Sequence, residues 1–203
     1  MKVALNYKKI ENIFKKNSGF ITRSEVKDAN ISTWFLSNFV KKNNLTRIAP
    51  GVYANEDYFF DDYYSLQTRY PKYIFSGINA LYLHHITDKI PTKFEITAPR
   101  GYNPSRNKID SLSVRYISDK NIYNLGICDV ETVFGTIVKA YDEERVICDL
   151  IKYRDKYDSE TFIKAIKYYA KTINDQTKLL NYAKKLKIEE KVYEIMELLT
   201  NND

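Results

Sequence analysis

The chain has little of what fixes a fold by covalent or metal chemistry. Its 203 residues include two cysteines, two histidines, one tryptophan, six glycines and five prolines. Cys128 and Cys148 stand well apart with no Cys-x-x-Cys, which excludes a disulfide framework and points to a reducing cytoplasm. His84 and His85 are adjacent; on a helix they point about 100° apart and cannot share a metal ion as an i, i+4 pair would. None of the six glycines fits G-x-G-x-x-G or a Walker loop, so no phosphate cradle is expected. No apolar run reaches about 18 residues, which excludes a spanning helix and gives no reason to expect a membrane partner. The opening MKVALNYKKIENIF has lysines at both ends and no long apolar centre, unlike a secretory leader. Internal repeats and low-complexity segments are also lacking.

What is present can fill a core, since 44% of residues are hydrophobic and 14% aromatic. The length suits one large domain or two small ones, at roughly 100–200 residues each. The net charge of +6 is unevenly placed: residues 1–55 carry +7, residues 56–120 carry +1 and residues 121–203 carry −2. A basic field confined to the first quarter attracts polyanions, either phosphate backbones or an anionic membrane face. A solvated lysine-rich surface gives the same count.

Within that quarter, Val3, Tyr7, Ile10, Ile13 and Phe14 recur at helical spacing and predict an amphipathic helix over 3–16, ended by Ser18-Gly19. Phe20 and Ile21 read as a short extended piece. Thr22-Arg23-Ser24-Glu25 has the form of a capping box and starts a short helix to about Ala29. Asn30 breaks it, and Ser32 caps a third helix to about Asn43. Two helices joined by a tight turn, behind a further helix, form the helix-turn-helix pattern. The following LTRIAPGVYA holds two β-prone pieces around Ala49-Pro50-Gly51, a hairpin that makes the module a winged helix.

On the third helix Phe35, Leu36, Phe39 and Val40, with Ile31 near the edge, form the core side. Thr33, Ser37 and Lys41 form the opposite row, flanked by Trp34, Asn38 and Lys42. Hydroxyl, amide and ammonium groups in one row suit base edges and phosphates. Trp34 either packs under the wing or a neighbouring helix, or sets its ring against a sugar or a thymine methyl. Arg23 and Lys27 on the second helix and Arg47 in the wing are placed for backbone phosphates. The expected DNA-binding set is therefore Arg23, Lys27, Thr33, Trp34, Ser37, Asn38, Lys41, Lys42 and Arg47.

Residues 56–203 read as a second, mixed α+β domain with a helical tail. A helix is expected over 61–69 and another from Gly77 to His85, capped by Ser76. KFEITAP and SLSVRYIS alternate like strands around the turn-rich loop from Arg100 to Lys108, and LGICDVETVFGTIVKAY gives two more short strands. Helices follow at 142–154, 159–172, 175–187 and 189–200. No catalytic constellation emerges. Asp61-Asp62 lack the glycine-serine turn of a nucleotidyltransferase metal pair. Asp88 ahead of FEIT lacks the Glu-x-Lys of a nuclease, because position 97 is Thr. Cys148, in VICDLI, is expected to be buried and inert. The chain is accordingly expected to be no enzyme and to hold neither cofactor nor metal.

Three stretches together resemble the AbiEi-type antitoxins of bacterial abortive-infection toxin–antitoxin systems. LTRIAPGVYA is similar to that family's wing. RYPKYIFSGINALYLHHITDKIPTKFEITAPRG resembles the segment after the connector, and YDEERVICDLIKYRDKYDSETFIKAIKYYAK the helical stretch beyond the last strand. The order and spacing over roughly 20–170 carry the resemblance, and beyond 170 only the helical character matches. It implies a repressor that binds inverted repeats in its own promoter. It also implies a second domain that counteracts a co-encoded nucleotidyltransferase-like toxin without a stable complex, in phage resistance. The family supplies no catalytic residues.

Two other readings follow from the residues alone. One is a ligand-sensing repressor with a tyrosine-lined pocket in the second part. The other is a nucleic-acid enzyme in which Asp88 and Glu95 meet only in three dimensions. With no heptad pattern for a coiled coil, the chain is expected to be a monomer that pairs on an inverted-repeat operator. Lys93, Arg100, Arg106 and Lys108 either extend the DNA-facing surface or are solvated loop charge.

Overall fold

The computed structural model describes residues 2–55, 61–102, 111–172 and 175–200. It divides into two compact units, one of residues 1–71 with 131–138, the other of 72–130 with 139–203. The mixture of helices and sheets is the expected α+β composition. Arg106 and Lys108 lie outside the described residues.

The first unit runs α1 (Lys2–Lys16), β1 (Phe20–Thr22), α2 (Arg23–Asp28), α3 (Thr33–Lys42), β2 (Thr46–Ala49), β3 (Val52–Ala54) and α4 (Asp62–Arg69). Its core gathers one or more apolar residues from each of the first three helices: Ile10, Val26, Leu36 and Phe39, with Ile21, Ile31 and Leu45. Val3 departs from expectation and is 57% exposed, because it lies one turn before Tyr7, where packing against this cluster begins. The strands form an antiparallel sheet in the order β1-β3-β2. Arg47 pairs with Tyr53 and Ala49 with Val52, so Ile48 is an extra residue that bulges from β2.

The capping box at Thr22 forms as predicted. Thr22 Oγ1 accepts from the Glu25 amide at 3.1 Å and Glu25 Oε2 accepts from the Thr22 amide at 3.0 Å. At the start of α4 the fully buried Asp61 accepts from the Tyr64 amide at 3.1 Å. The hydroxyls of Thr132 and Thr136 also donate to it, joining the 131–138 segment to α4. Asp61 is thus a helix cap with hydroxyl partners, and Asp62 is exposed.

Few glycines does not mean few left-handed turns. The described non-glycine residues with positive φ are Ser18, Asn30, Asn44, His85 and Lys187, and each follows the last turn of a helix. Asn30 donates to Lys27 O and Ile31 to Val26 O, and the same paired bonds recur at Asn44-Leu45, His85-Ile86 and Lys187-Ile188. These are Schellman ends, which usually place glycine where this chain uses other residues.

The second unit runs β4 (Ile74–Phe75), α5 (Gly77–Leu83), β5 (Phe94–Pro99), β6 (Leu112–Ile117), α6 (Lys120–Asn124), β7 (Ile127–Glu131), β8 (Ile137–Tyr141) and α7 (Glu143–Lys152). A 3-10 turn (Arg154–Lys156), α8 (Ser159–Thr172), α9 (Gln176–Leu186) and α10 (Glu189–Thr200) complete it. The outer ends of β7 and β8 belong to the first unit. The five strands are ordered β6-β5-β4-β8-β7. β4 is antiparallel to β5, while β5–β6 and β4–β8 are parallel. Ser76 stands at the head of α5 but does not cap it. Its hydroxyl accepts from Thr97 at 3.1 Å, and Glu95 Oε2 takes the Ile78 amide at 3.3 Å.

Helix α7 is the centre of this unit, with contacts to α5, α8, α9 and α10. Every residue from Glu144 to Ile151 is buried, three of them charged. Arg145, 1% exposed, pairs through Nε with Asp149 Oδ1 at 3.3 Å. Its Nη1 donates to the carbonyls of Ile122 at 2.7 Å and Leu125 at 2.8 Å. Gly126, at φ +79°, permits this approach, since a Cβ there would lie 2.7 Å from Arg145 Cβ. Glu144 pairs with Lys178 of α9 at 2.6 Å.

Arg145→Met takes one of the two guanidinium partners from the buried Asp149 carboxylate and leaves the carbonyls of Ile122 and Leu125 without a donor, so urea denaturation of the variant should show a loss of about 3–5 kcal/mol. Lys187→Gly removes the left-handed penalty of an L-residue, roughly 1–2 kcal/mol, against an unfolded-state entropy cost of about 0.4–1 kcal/mol. Its melting temperature should rise; an unchanged or lower one would show that Lys187 is unstrained.

Candidate nucleic-acid interface

The geometry of α3 is set from both sides. Ser32 Oγ accepts from the Trp34 amide at 3.3 Å and fixes the first turn. Behind the helix, Phe35 meets Tyr7 edge-on at 5.4 Å and Phe39 meets Phe14 at 5.4 Å, locking α3 onto α1. Leu36 and Phe39 are buried and Phe35 and Val40 partly so, as the periodicity predicts.

The opposite face carries the expected polar row. Ser37 and Lys41 are exposed, and Thr33 and Asn38 are half-buried. Ser37 donates its hydroxyl proton to Thr33 O at 3.1 Å, so its oxygen faces outward as an acceptor. Trp34 is 60% exposed, and its ring meets Phe35 of the same helix edge-on at 5.0 Å, so among the described residues it is not buried under the wing.

Lys42 parts company with Lys41. It turns toward α1 and lines a groove of about 380 Å³ with Glu11, Lys15, Tyr7 and Phe14. Lys15 holds Glu11 below the usual carboxylate range, with a smaller contribution from Lys42. Arg23 and Lys27 are exposed on α2, and Arg47 is exposed on β2. The Arg23 amide donates to Gly51 O at 2.7 Å, which ties the start of α2 to the hairpin turn. Gly51 at φ +77° supplies that turn, and a Cβ there would come within 3.3 Å of Arg23 Cβ. All nine candidate residues thus belong to the first compact unit. Lys93 and Arg100 are exposed in the second.

Sequence reasoning missed Arg69. From the end of α4 its Nη2 donates at 3.0 Å to the carbonyl of Ile48, the residue bulged out of β2. It steadies the strand that carries Arg47, and no local pattern signals a pairing across 21 residues.

His84 Nε2 lies 2.8 Å from Tyr141 O, a hydrogen-bonded histidine as expected. Burial pushes the Cys148 thiol up to about 12 and the Cys128 thiol up to about 11, so neither is poised as a nucleophile. Asp88 lies beside Lys164, whereas Glu95 bonds to Ile78 and Tyr157. Among the described residues no group of three or more His, Cys, Asp or Glu could hold a metal ion. No helix among them is long and apolar enough to cross a membrane.

No curated protein matches the chain. Among solved structures, the crystal structure of RV2827C protein from Mycobacterium tuberculosis aligns with a TM-score of 0.41 and 11% identity, covering 90% of this chain and 75% of that one. The two later stretches of the antitoxin resemblance lie beyond the residues that a family model reaches. Residues 8–55, from α1 through β3, match the family model described as "Transcriptional regulator, AbiEi antitoxin", the family that the sequence resembles.

Proposed function

We propose that the chain is a transcriptional autorepressor and antitoxin whose first unit is a winged helix-turn-helix. The observation that carries this is α3 itself. It is packed on one face and presents Thr33, Ser37, Lys41 and Trp34 on the other, beside a bulged β2–β3 hairpin bearing Arg47. In this reading α3 enters the major groove and its first turns meet base edges. Lys41, Arg23, Lys27 and Arg47 grip phosphates, and Lys42 does so from the α1 side. Thr33, Ser37, Asn38 and Trp34 face the bases. Two copies pair on an inverted repeat in the chain's own promoter, and the protein works in the cytoplasm.

The second unit opposes a co-encoded nucleotidyltransferase-like toxin indirectly, in phage defence, and catalyses nothing itself. The description of the matched family as both regulator and antitoxin supports the joint role, and the match itself lies in the first unit. Mixed at micromolar concentration, the chain and that toxin should elute separately in size exclusion; co-elution would replace this reading with direct sequestration.

Fluorescence anisotropy with promoter DNA against a scrambled duplex tests the repressor half. The promoter should be preferred by about 10³-fold or more. If about six phosphates are neutralised, log affinity should fall with log salt at a slope near −5. Lys41→Ala should reduce that slope by about one unit, while Asn38→Ala should relax sequence preference and leave the slope alone. Equal binding to both duplexes would leave a basic patch and no repressor.

A further inference from the structure

We infer that a polar cleft in the second unit binds a small zwitterion of the α-amino-acid class, its carboxylate toward Arg115 and Lys156 and its ammonium toward Glu95. The cleft, of about 440 Å³, is walled by β5, β6, the start of α5 and the end of the 3-10 turn, at Lys156 and Tyr157. It lies wholly within the second unit and is independent of the DNA-binding reading.

The first argument is charge. Asp149 is shared by two guanidinium groups, Arg145 on Oδ1 at 3.3 Å and Arg115 on Oδ2 at 3.1 Å. The remaining partners of Arg145 Nη1 are neutral carbonyls, which satisfy its donors without cancelling its charge. The triad therefore carries one excess positive charge. Arg145 is sealed, so the excess meets the cleft at Arg115, whose side chain is 19% exposed and stacks at 4.0 Å on the Tyr153 ring. Exposed Lys156 lines the same cleft. A guanidinium clamped by a carboxylate and a ring is oriented in advance, and its fork suits a carboxylate.

The second argument is Glu95, which lines the same cleft. Its Oε2 accepts two long bonds, from the Ile78 amide at 3.3 Å and the Tyr157 hydroxyl at 3.4 Å. Oε1 has no partner among the described residues. The seat is made by Gly77, where a Cβ would fall 1.8 Å from Glu95 Oε2. Beside it, Ser76 accepts from Thr97 without capping α5, so its own proton is left to donate. A half-satisfied carboxylate calls for a donor, and an unbalanced guanidinium calls for an anion. One cleft holding both selects a ligand that carries both, with volume left over for a side chain.

Isothermal titration calorimetry of the full chain with each of the twenty amino acids, and with acetate and ethylamine as half-ligands, tests this. At least one amino acid should bind with Kd of about 1 mM or tighter, and each half-ligand about tenfold more weakly. Glu95→Gln and Lys156→Ala should each weaken it about tenfold while melting like the parent chain. Lys156 is exposed, so that variant remains decisive if Glu95→Gln misfolds. Absence of heat with all twenty, acetate binding as tightly as the amino acid, or unchanged affinity in Lys156→Ala would overturn the assignment.

Discussion

The carboxylate of Asp149 is the point on which the second unit turns. Removing a charge from water into a protein interior is costly unless partners replace the lost hydration. Here the partners are two arginines from different elements, one turn earlier on α7 and on strand β6. Because Arg145 also collects the carbonyls of Ile122 and Leu125, the stretch from α6 to β7 is held to the same helix. Apolar packing alone would tolerate small slips of α7; this geometry does not, since any slip leaves a buried charge or carbonyl unmatched. The same demand for partners governs α9, where Lys178 neutralises buried Glu144.

The first unit is organised by helix ends. Its helices range from fifteen residues in α1 to six in α2, and α2 could not stand alone in water. What makes it possible is closure at both ends: the Thr22–Glu25 box at its start and the Asn30 turn at its close. Glu25 also accepts from the side-chain Nδ2 of Asn17, just past α1, at 2.6 Å and from the Tyr64 hydroxyl at 3.4 Å, so the cap also links α1, α2 and α4. The orientation of α3 therefore rests on polar contacts at helix ends as much as on the core behind it.

Features written in short stretches were legible in the sequence. The capping box, Asn30, Ser32, the face of α3 apart from Lys42, and the β2–β3 hairpin, whose first strand is shifted by one residue to Thr46–Ala49, all depend on neighbours within a few residues and stand close to where expected. The match over residues 8–55 falls on the same stretch. The bulge at Ile48 and its tie to Arg69 were not legible, because a strand shows no sign of which distant donor meets its spare carbonyl. Neither was α6, whose five residues are too few for periodicity although Asp119 caps it. Ser76 misled for the opposite reason: a serine before a helix is a good cap until a distant threonine competes for it. The parallel pairing of β5 with β6 likewise depends on topology that alternation cannot encode.

The bond between Asp61 and the two threonines has a consequence for how the protein is made. Its halves are about seventy residues apart in sequence. A ribosome that has emitted α1 through α4 has released the helices, the hairpin and the buried acid, but not the hydroxyls that acid needs. Until Thr136 emerges, the Asp61 side chain can be satisfied only by water in place of the two hydroxyls, and the start of α4 that it caps cannot settle. Synthesis of nearly half of the second unit therefore precedes completion of the first. The first unit, whose helices and hairpin are made before the second, reaches its final form late, and a fragment stopped after residue 71 would keep that unfinished state permanently.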